Sequence, residues 1–289
     1  TVIDAAWFGQ HIENHANLKV ILGDLRDLVH IPKADAIIHL AGIANDPCGE
    51  LDAKLTWEVN VLAHLNFIKL AVEQGIKQFI YASSASVYGI QGNKPVTEDS
   101  SMAPVSDYNK TKQVAERVLL SYADKMACQI VRPATICGYS PRMRLDVVVN
   151  MLTWSALHTG EIVVQTPDLY RPHCHIQDVT DLYLWLLERP HLQGAYNAGF
   201  DNQTIMQTAQ TIGRIVGCPV RAAPHTPGKY DKRSYLVDSS RILAEGFVPK
   251  FGVTDAVEEI VAMYRAGALV NDERWVNLHY MRKCGLVTG

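Results

Sequence analysis

Phe79-Ile-Tyr-Ala-Ser-Ser-Ala-Ser-Val-Tyr-Gly89 reads as a buried strand that runs directly into a hydroxyl-rich turn. In an open α/β sheet ligands bind at the carboxyl ends of the strands, so Ser83 and Ser84 stand where a ligand oxygen could accept their hydrogen bonds. Taken singly, either serine is equally well explained by the backbone of its own turn. Around this stretch, up to about Pro133, short β-branched runs alternate with longer helical patterns, the rhythm of a parallel sheet covered by crossover helices. Strands are expected over 1–4, 18–22, 36–40, 78–82 and 128–131. A helix is expected over 54–74, with Leu55, Val59 and Leu62 on one stripe and Gly75 at its end. A second is expected over 108–125, capped by Ser106 or Asp107, with Val114, Val118 and Tyr122 recurring at four-residue spacing.

Beyond Pro133 the rhythm is less regular. Helices are expected over 204–216, opened by a Thr204/Gln207 capping box, and over 254–266, where Val257, Ile260, Val261 and Tyr264 form an apolar stripe. Two domains follow: 1–133, built on the parallel sheet, and 134–289, with part of 170–188 returning to the first. The chain of 289 residues can bury about three quarters of its unfolded surface. Its 48% hydrophobic and 20% charged composition is that of an ordinary globular protein. A net charge of −3 gives no support to a nucleic-acid partner. The six cysteines lack the spacing of a disulfide framework or a zinc site and read as reduced and structural. Apolar runs fall far short of the ~20 residues that span a bilayer and no signal peptide opens the sequence, so a cytoplasmic protein without membrane contact is expected.

Tyr108 and Lys112, in Tyr-Asn-Lys-Thr-Lys, carry the chemistry. A helix places positions i and i+4 on one face, and a fixed ammonium beside a phenol lowers the phenol's pKa, making tyrosine a usable base near neutrality. The pair alone is a common chance pattern. Its weight comes from the company it keeps.

Asp4 closing a strand, Gly23-Asp24-Leu25-Arg26-Asp27, His39-Leu40-Ala41-Gly42, Asn60-Val61, Ser83 to Gly89, Tyr108-x-x-x-Lys112, Arg132-Pro133, Arg171-x-x-x-His175-Ile-x-Asp178 and Tyr196-Asn197-Ala198-Gly199 occur in this order. The set resembles the extended short-chain dehydrogenase/reductase family, specifically its NAD-dependent nucleotide-sugar epimerase and dehydratase branch, along nearly the whole chain. The resemblance implies a Rossmann-type doubly wound parallel sheet with a smaller C-terminal α/β substrate domain. It implies that Asp4 binds the adenosine ribose and favours NAD, since a carboxylate repels a 2′-phosphate. Asp24 and Leu25 would flank adenine, Leu40, Ala41 and Gly42 would pass under the cofactor, Ser83 would lie near nicotinamide, and Lys112 would also hold the nicotinamide ribose. Asn60 would have a supporting or water-relay role. One feature departs from the family: its glycine-rich phosphate loop should precede the ribose carboxylate by roughly 20 residues, whereas Asp4 stands almost at the start and the nearest glycine, Gly9, follows it. The first strand and helix are thus expected to be missing through truncation of the sequence; the alternative is a cofactor-deficient remnant.

In the implied reaction Tyr108 takes a proton from a sugar hydroxyl as hydride leaves the same carbon, with Ser84 hydrogen-bonding the oxygen. Epimerisation at C4 of a nucleotide-diphosphate sugar, as in UDP-glucose 4-epimerases, is the leading expectation. A 4-keto-sugar reductase and an inactive cofactor-binding sensor are the alternatives. Dehydratases of the branch carry Asp-Glu after the active-site hydroxyl, where this chain has Ala85-Ser86. Arg171 matches the diphosphate-binding arginine, Arg233 is a further candidate, and Thr135 stands where many relatives have a substrate-facing asparagine. Arg142 and Arg144, in Ser140-Pro-Arg-Met-Arg144, form a candidate substrate loop with solvent-exposed charge as the competing reading. His173 and His175 form an HxH pattern without a third ligand at a recognised spacing, so His175 reads as structural, as does Cys137. The resemblance further implies a homodimer through the helices over 54–74 and 108–125.

Overall fold

The computed structural model describes residues 1–92, 94–224, 234–269 and 272–285. Its central sheet has four parallel strands in the order Gly194–Ala198, Ala127–Pro133, Gln78–Ala82, Ala36–His39. Val2–Asp4 and Val20–Leu22 pair in parallel as a separate ribbon, joined by strand pairing to no other described strand. Gln78–Ala82 is buried on both faces, as its composition predicts, with Phe79 and Ile80 fully enclosed. Phe79 and Tyr81 pack with Phe67, Ile68 and Leu119 on one face. Ile80 packs with Leu182, Tyr183 and Leu186 of the helix Ile176–Leu187 on the other. Helices on both faces of a parallel sheet make the doubly wound arrangement.

The two helices over that first face differ from expectation in instructive ways. The first is continuous from Ala53 to Glu73, but its middle, Glu58–Ala63, is a π-turn. One extra residue in the turn shifts the helix face locally, a device that recurs at functional sites, and here it falls on Asn60. The second runs over Asp107–Leu120 and ends five residues earlier than its apolar spacing suggests. Ser106 caps it, its Oγ accepting the Asn109 N–H at 3.2 Å. At the far end Ser121 Oγ donates to the Val118 carbonyl at 2.7 Å, a local bond that competes with continuing the helix.

In the second half a sheet of three strands, Asp201–Thr204, Tyr170–His175 and Thr135–Cys137, lies beside the helices Val148–Thr159, Ile205–Val216 and Val253–Arg265. Val149, Ile162, Ala209, Ile212 and Val257 form their shared core. The Thr204/Gln207 capping box forms, Gln207 Oε1 accepting the Thr204 N–H at 2.8 Å and Thr204 Oγ1 accepting the Gln207 N–H at 3.1 Å.

The turn after Gln78–Ala82 is a short 3₁₀ helix, Ala85–Tyr88, closed by Gly89 at φ +69°. A Cβ at Gly89 would stand 1.9 Å from the Ala103 carbonyl oxygen, so both conformation and space demand glycine. Gly89→Ala is expected to cost at least about 2 kcal/mol in urea unfolding; an unchanged midpoint would show that the turn yields freely.

Candidate active site

The helix Asp107–Leu120 sets Tyr108, Lys112 and Glu116 at successive four-residue steps on one face. Tyr108 is half-buried and shares a hydrogen bond with Ser84. Ser84 Oγ lies 2.8 Å from Ser86 Oγ and accepts the Ser86 N–H at 3.2 Å. Lys112 Nζ donates to the Ala82 carbonyl at 2.7 Å, 4.8 Å from the Tyr81 ring centre and 5.9 Å from that of Tyr108. Burial pushes the Lys112 pKa down to about 8, against the pull of Glu116. Burial pushes the Tyr108 phenol above its ordinary value, while the Ser84 hydrogen bond and the charge of Arg144 draw it down and Asp46 and Tyr235 add to the rise. The Lys112 ammonium is turned to a strand carbonyl and the Tyr81 face, and burial sets the direction of the phenol's shift.

Behind this trio lies a buried polar network. Ser83 Oγ donates to Glu116 Oε1, so its proton is committed to protein rather than to a ligand. Glu116 receives Arg132 in a two-pronged pair, Nε to Oε1 at 2.9 Å and Nη2 to Oε2 at 2.7 Å. Arg132 Nη1 donates to the Tyr88 hydroxyl at 2.7 Å, and that hydroxyl donates to Asn197 Oδ1 at 2.7 Å. Arg132, Tyr88 and Asn197 were visible as motif positions, but Glu116 was missed; its place one turn beyond Lys112 was the available signal.

Several residues expected at the cofactor close or follow strands: Asp4 ends Val2–Asp4, Asp24 and Leu25 follow Val20–Leu22, and Leu40, Ala41 and Gly42 follow Ala36–His39. Asp4 is exposed at the end of Val2–Asp4, its Oδ1 accepting the Ala6 N–H at 2.6 Å. Asp24 accepts the Arg26 N–H at 2.9 Å, and the Arg26 guanidinium holds its carboxyl below the usual range. Leu25 is half-buried beside the core, while Leu40, Ala41 and Gly42 are exposed past Ala36–His39. Asn60 is buried; its Oδ1 accepts the Ile43 N–H at 2.8 Å, and its Nδ2 donates to the Ile43 carbonyl at 3.0 Å and to Thr111 Oγ1 at 3.1 Å. A Cβ at Gly42 would stand 2.8 Å from Asn60 Oδ1. Asn60 thus supports the loop that the resemblance runs under the cofactor. An exposed strand-end carboxylate suits ribose hydroxyls and the exposed Leu40-Ala41 surface suits a flat ring, so this edge fits the nucleoside parts of a dinucleotide. Among the described residues no glycine-rich turn follows a strand to receive the pyrophosphate.

Thr135 and Arg171, both half-buried, lie on adjacent strands of the second sheet; Thr135 pairs with His173, two residues beyond Arg171, whose Nη1 donates to the Tyr170 carbonyl at 3.0 Å. Arg233 lies outside the described residues. The loop carrying Arg142 and Arg144 divides its arginines. Arg142 Nη2 donates to Asn277 Oδ1 at 2.6 Å and its guanidinium lies 4.0 Å from the Phe8 ring centre, so it ties the loop to distant segments. Arg144 donates to Asp146 Oδ1 at 2.8 Å, and its charge reaches Tyr108. Asp46, another neighbour not anticipated, accepts from Ser106 Oγ at 2.5 Å and Asn109 Nδ2 at 2.9 Å. His175 Nδ1 accepts the Gln177 N–H at 3.1 Å as a helix cap, and burial pushes the Cys137 thiol up to about 12.

Ser84, Tyr108 and Lys112 thus meet at the carboxyl edge of a doubly wound sheet. Residues 2–199 match the model of the NAD dependent epimerase/dehydratase family, and the chain belongs to that family of enzymes. It is 23% identical over 282 residues to the dTDP-D-glucose 4,6-dehydratase of Mus musculus, covering 92% of this chain and 78% of that one. It is 22% identical over 295 residues to the UDP-glucose 4-epimerase of Lactobacillus helveticus, with 90% and 87% covered. The fold is shared with the Thermus thermophilus UDP-glucose 4-epimerase solved with NAD, at TM-score 0.77 and 23% identity, covering 93% of this chain and 91% of that one. Among the described residues no helix is long and apolar enough to cross a membrane.

Two measurements check this account. The Glu116–Arg132 pair has side chains only 1% and 4% exposed, so Glu116→Gln is expected to cost about 3–5 kcal/mol in urea unfolding, and Glu116→Leu combined with Arg132→Met less than that. Stability equal to the parent in the single variant would refute the pair's weight. Burial also pushes His64 down to about 3 and His173 to about 4. The unfolded chain binds their protons near the ordinary histidine value and the folded chain does not, so stability is present above that value and is lost as pH falls from it towards the folded values. The urea midpoint should therefore drop between about pH 7 and about pH 5, and drop less in His64→Phe; equal drops would exclude His64 as a source.

Proposed function

We propose that the protein is a nucleotide-sugar 4-epimerase in which Tyr108 exchanges the proton of the sugar's reacting hydroxyl. Ser84, already hydrogen-bonded to Tyr108, holds the same sugar oxygen and passes its hydrogen bond from hydroxyl to carbonyl and back. Lys112 keeps a positive charge on the buried side of the phenol, which favours the phenolate when the proton is taken. NAD, the family's cofactor, supplies when bound the hydride acceptor and donor. Asp4, Asp24, Leu25, Leu40, Ala41 and Gly42 hold it, Asn60 steadies their loop, and Lys112 holds its nicotinamide ribose, with Ser83 beside it. Thr135 and Arg171, from the substrate-binding part over 134–289, face the nucleotide-diphosphate sugar, where a planar guanidinium matches phosphate oxygens.

The observation that carries epimerisation over dehydration is the turn after Ser84. A 4,6-elimination needs an acid and a base besides the tyrosine; at that turn the neighbour of Ser84 is a hydroxyl, Ser86 Oγ at 2.8 Å. The carboxylate of Asp46, whose charge reaches Tyr108, already accepts two hydrogen bonds from protein. A homodimer through the Lys112 and Asn60 helices belongs to the same proposal and is supported by Leu62 and Leu120, 57% and 41% exposed on them.

Incubating the protein with a panel of UDP- and dTDP-sugars and their 4-keto derivatives, with and without NADH, tests the reading. A C4 stereoisomer should form without net cofactor consumption, and Tyr108→Phe should slow it by about 10²–10⁴-fold. Stoichiometric NADH consumption on a keto sugar would replace the proposal with a reductase. Release of water would replace it with a dehydratase, and NAD binding without turnover with a sensor.

A further inference from the structure

The mechanism above uses one side of Lys112; the other side is built from aromatic rings. Nζ lies 4.8 Å from the Tyr81 ring centre. Behind Tyr81 stand His64 at 4.6 Å and His39 at 5.7 Å between centres, with the two imidazoles stacked at 5.0 Å. Tyr81, His64 and His39 are 1%, 0% and 4% exposed. Among the described residues His64 Nδ1 has no hydrogen-bond partner, so the group nearest the Tyr81 ring offers no fixed acceptor on that atom. An ammonium has three donors, and the one hydrogen bond described for Nζ goes to the Ala82 carbonyl at 2.7 Å.

We propose that Tyr81 is a positioning residue for Lys112: its ring face replaces solvent on one side of the ammonium and, by cation–π attraction, sets the pH at which the site's lysine loses its proton. The inference rests on the reading of Tyr108 and Lys112 as the working pair. The groups that face Lys112 are few enough to separate. On its own helix stand Tyr108 and Glu116; from the strand Gln78–Ala82 come Tyr81 and the Ala82 carbonyl; from the neighbouring helix comes His64, and from Ala36–His39 comes His39. Burial keeps both histidines neutral over the range in which Lys112 titrates, since each has its pKa pushed down and His64 to about 3. Glu116 is engaged by Arg132 and Ser83. The ring of Tyr81 is therefore the adjustable contact.

A second physical consequence distinguishes attraction to the ring from mere filling of space. Fluorine on a phenylalanine ring withdraws the negative charge of its face while changing its volume little, so only the electrostatic part of the contact responds. The full chain is prepared with Tyr81→Phe and with phenylalanine analogues of rising fluorine content at position 81. The Lys112 side-chain NMR signal, labelled at Cε and assigned with Lys112→Arg, is then titrated. In the parent and in Tyr81→Phe the midpoint is expected at about 8. Across the fluorinated series it should fall in step by about half to one pH unit. The alkaline limb of kcat/KM on the nucleotide sugar should move with it. A midpoint that stays flat across the series, or rises, overturns the proposal. If no nucleotide sugar is turned over, the epimerase reading fails while the titration still decides the role of Tyr81; a flat titration with normal turnover leaves the epimerase and removes this inference.

Discussion

The ion pair between Glu116 and Arg132 holds together the parts on which the site depends. Glu116 comes from the helix of Tyr108 and Lys112, Arg132 from the strand Ala127–Pro133, and Ser83, bound to the same carboxylate, from the end of Gln78–Ala82. Through Tyr88 the network reaches Asn197 on the next strand. A charge enclosed this deeply tolerates little displacement, because each oxygen that loses its donor carries a desolvation cost with no compensation. The helix cannot slide along the sheet without breaking it. The separations among Ser84, Tyr108 and Lys112 thereby inherit the rigidity of the sheet rather than the mobility of a loop.

Against that rigid frame the electrostatics of the site are set by burial more than by pairing. Lys112 sits where a cation is costly, and Tyr108 where a phenolate is costly, so each group raises the other's tendency to ionise only when its own burial is offset by something further. In this chain the offsets come from outside the pair: Arg144 and Ser84 for the phenol, Glu116 for the ammonium. Such a site is responsive. Charge brought by a ligand to the same low-dielectric pocket acts on both groups at once.

Much of this was legible in the sequence because it follows from short-range rules. The double burial of Phe79 to Tyr81, the Ser106 and Thr204 caps, and the shared face of Tyr108 and Lys112 each need only local periodicity or a single capping residue. What could not be read depends on distant partners. The π-turn at Asn60 arises where that side chain must meet Ile43 and Thr111 together, and no local pattern marks it. The helix after Tyr108 stops early because Ser121 turns its hydroxyl back on the chain, although Tyr122 continues the apolar spacing. Asp46 and Arg144 reach Tyr108 from separate segments, and Lys112 meets Tyr81 where its helix packs on the sheet, so their roles emerge only when the chain is folded.

The last described helix, Asn277–Lys283, places Met281 in one apolar cluster with Ile43, Cys48, Leu55 and Val59, with Trp7 and Phe8 packed alongside. The short helix Asp46–Gly49 in the same region abuts Tyr108 so closely that a Cβ at Gly49 would stand 2.9 Å from the tyrosine's own Cβ. The wall beside the Tyr108 phenol is thus backed by residues that come far later in the sequence. During synthesis the described strands of the parallel sheet all emerge before Asn277–Lys283 does, because contacts between distant segments form only after both have emerged. A nascent chain therefore carries the frame of the site before it has the helix that backs this wall.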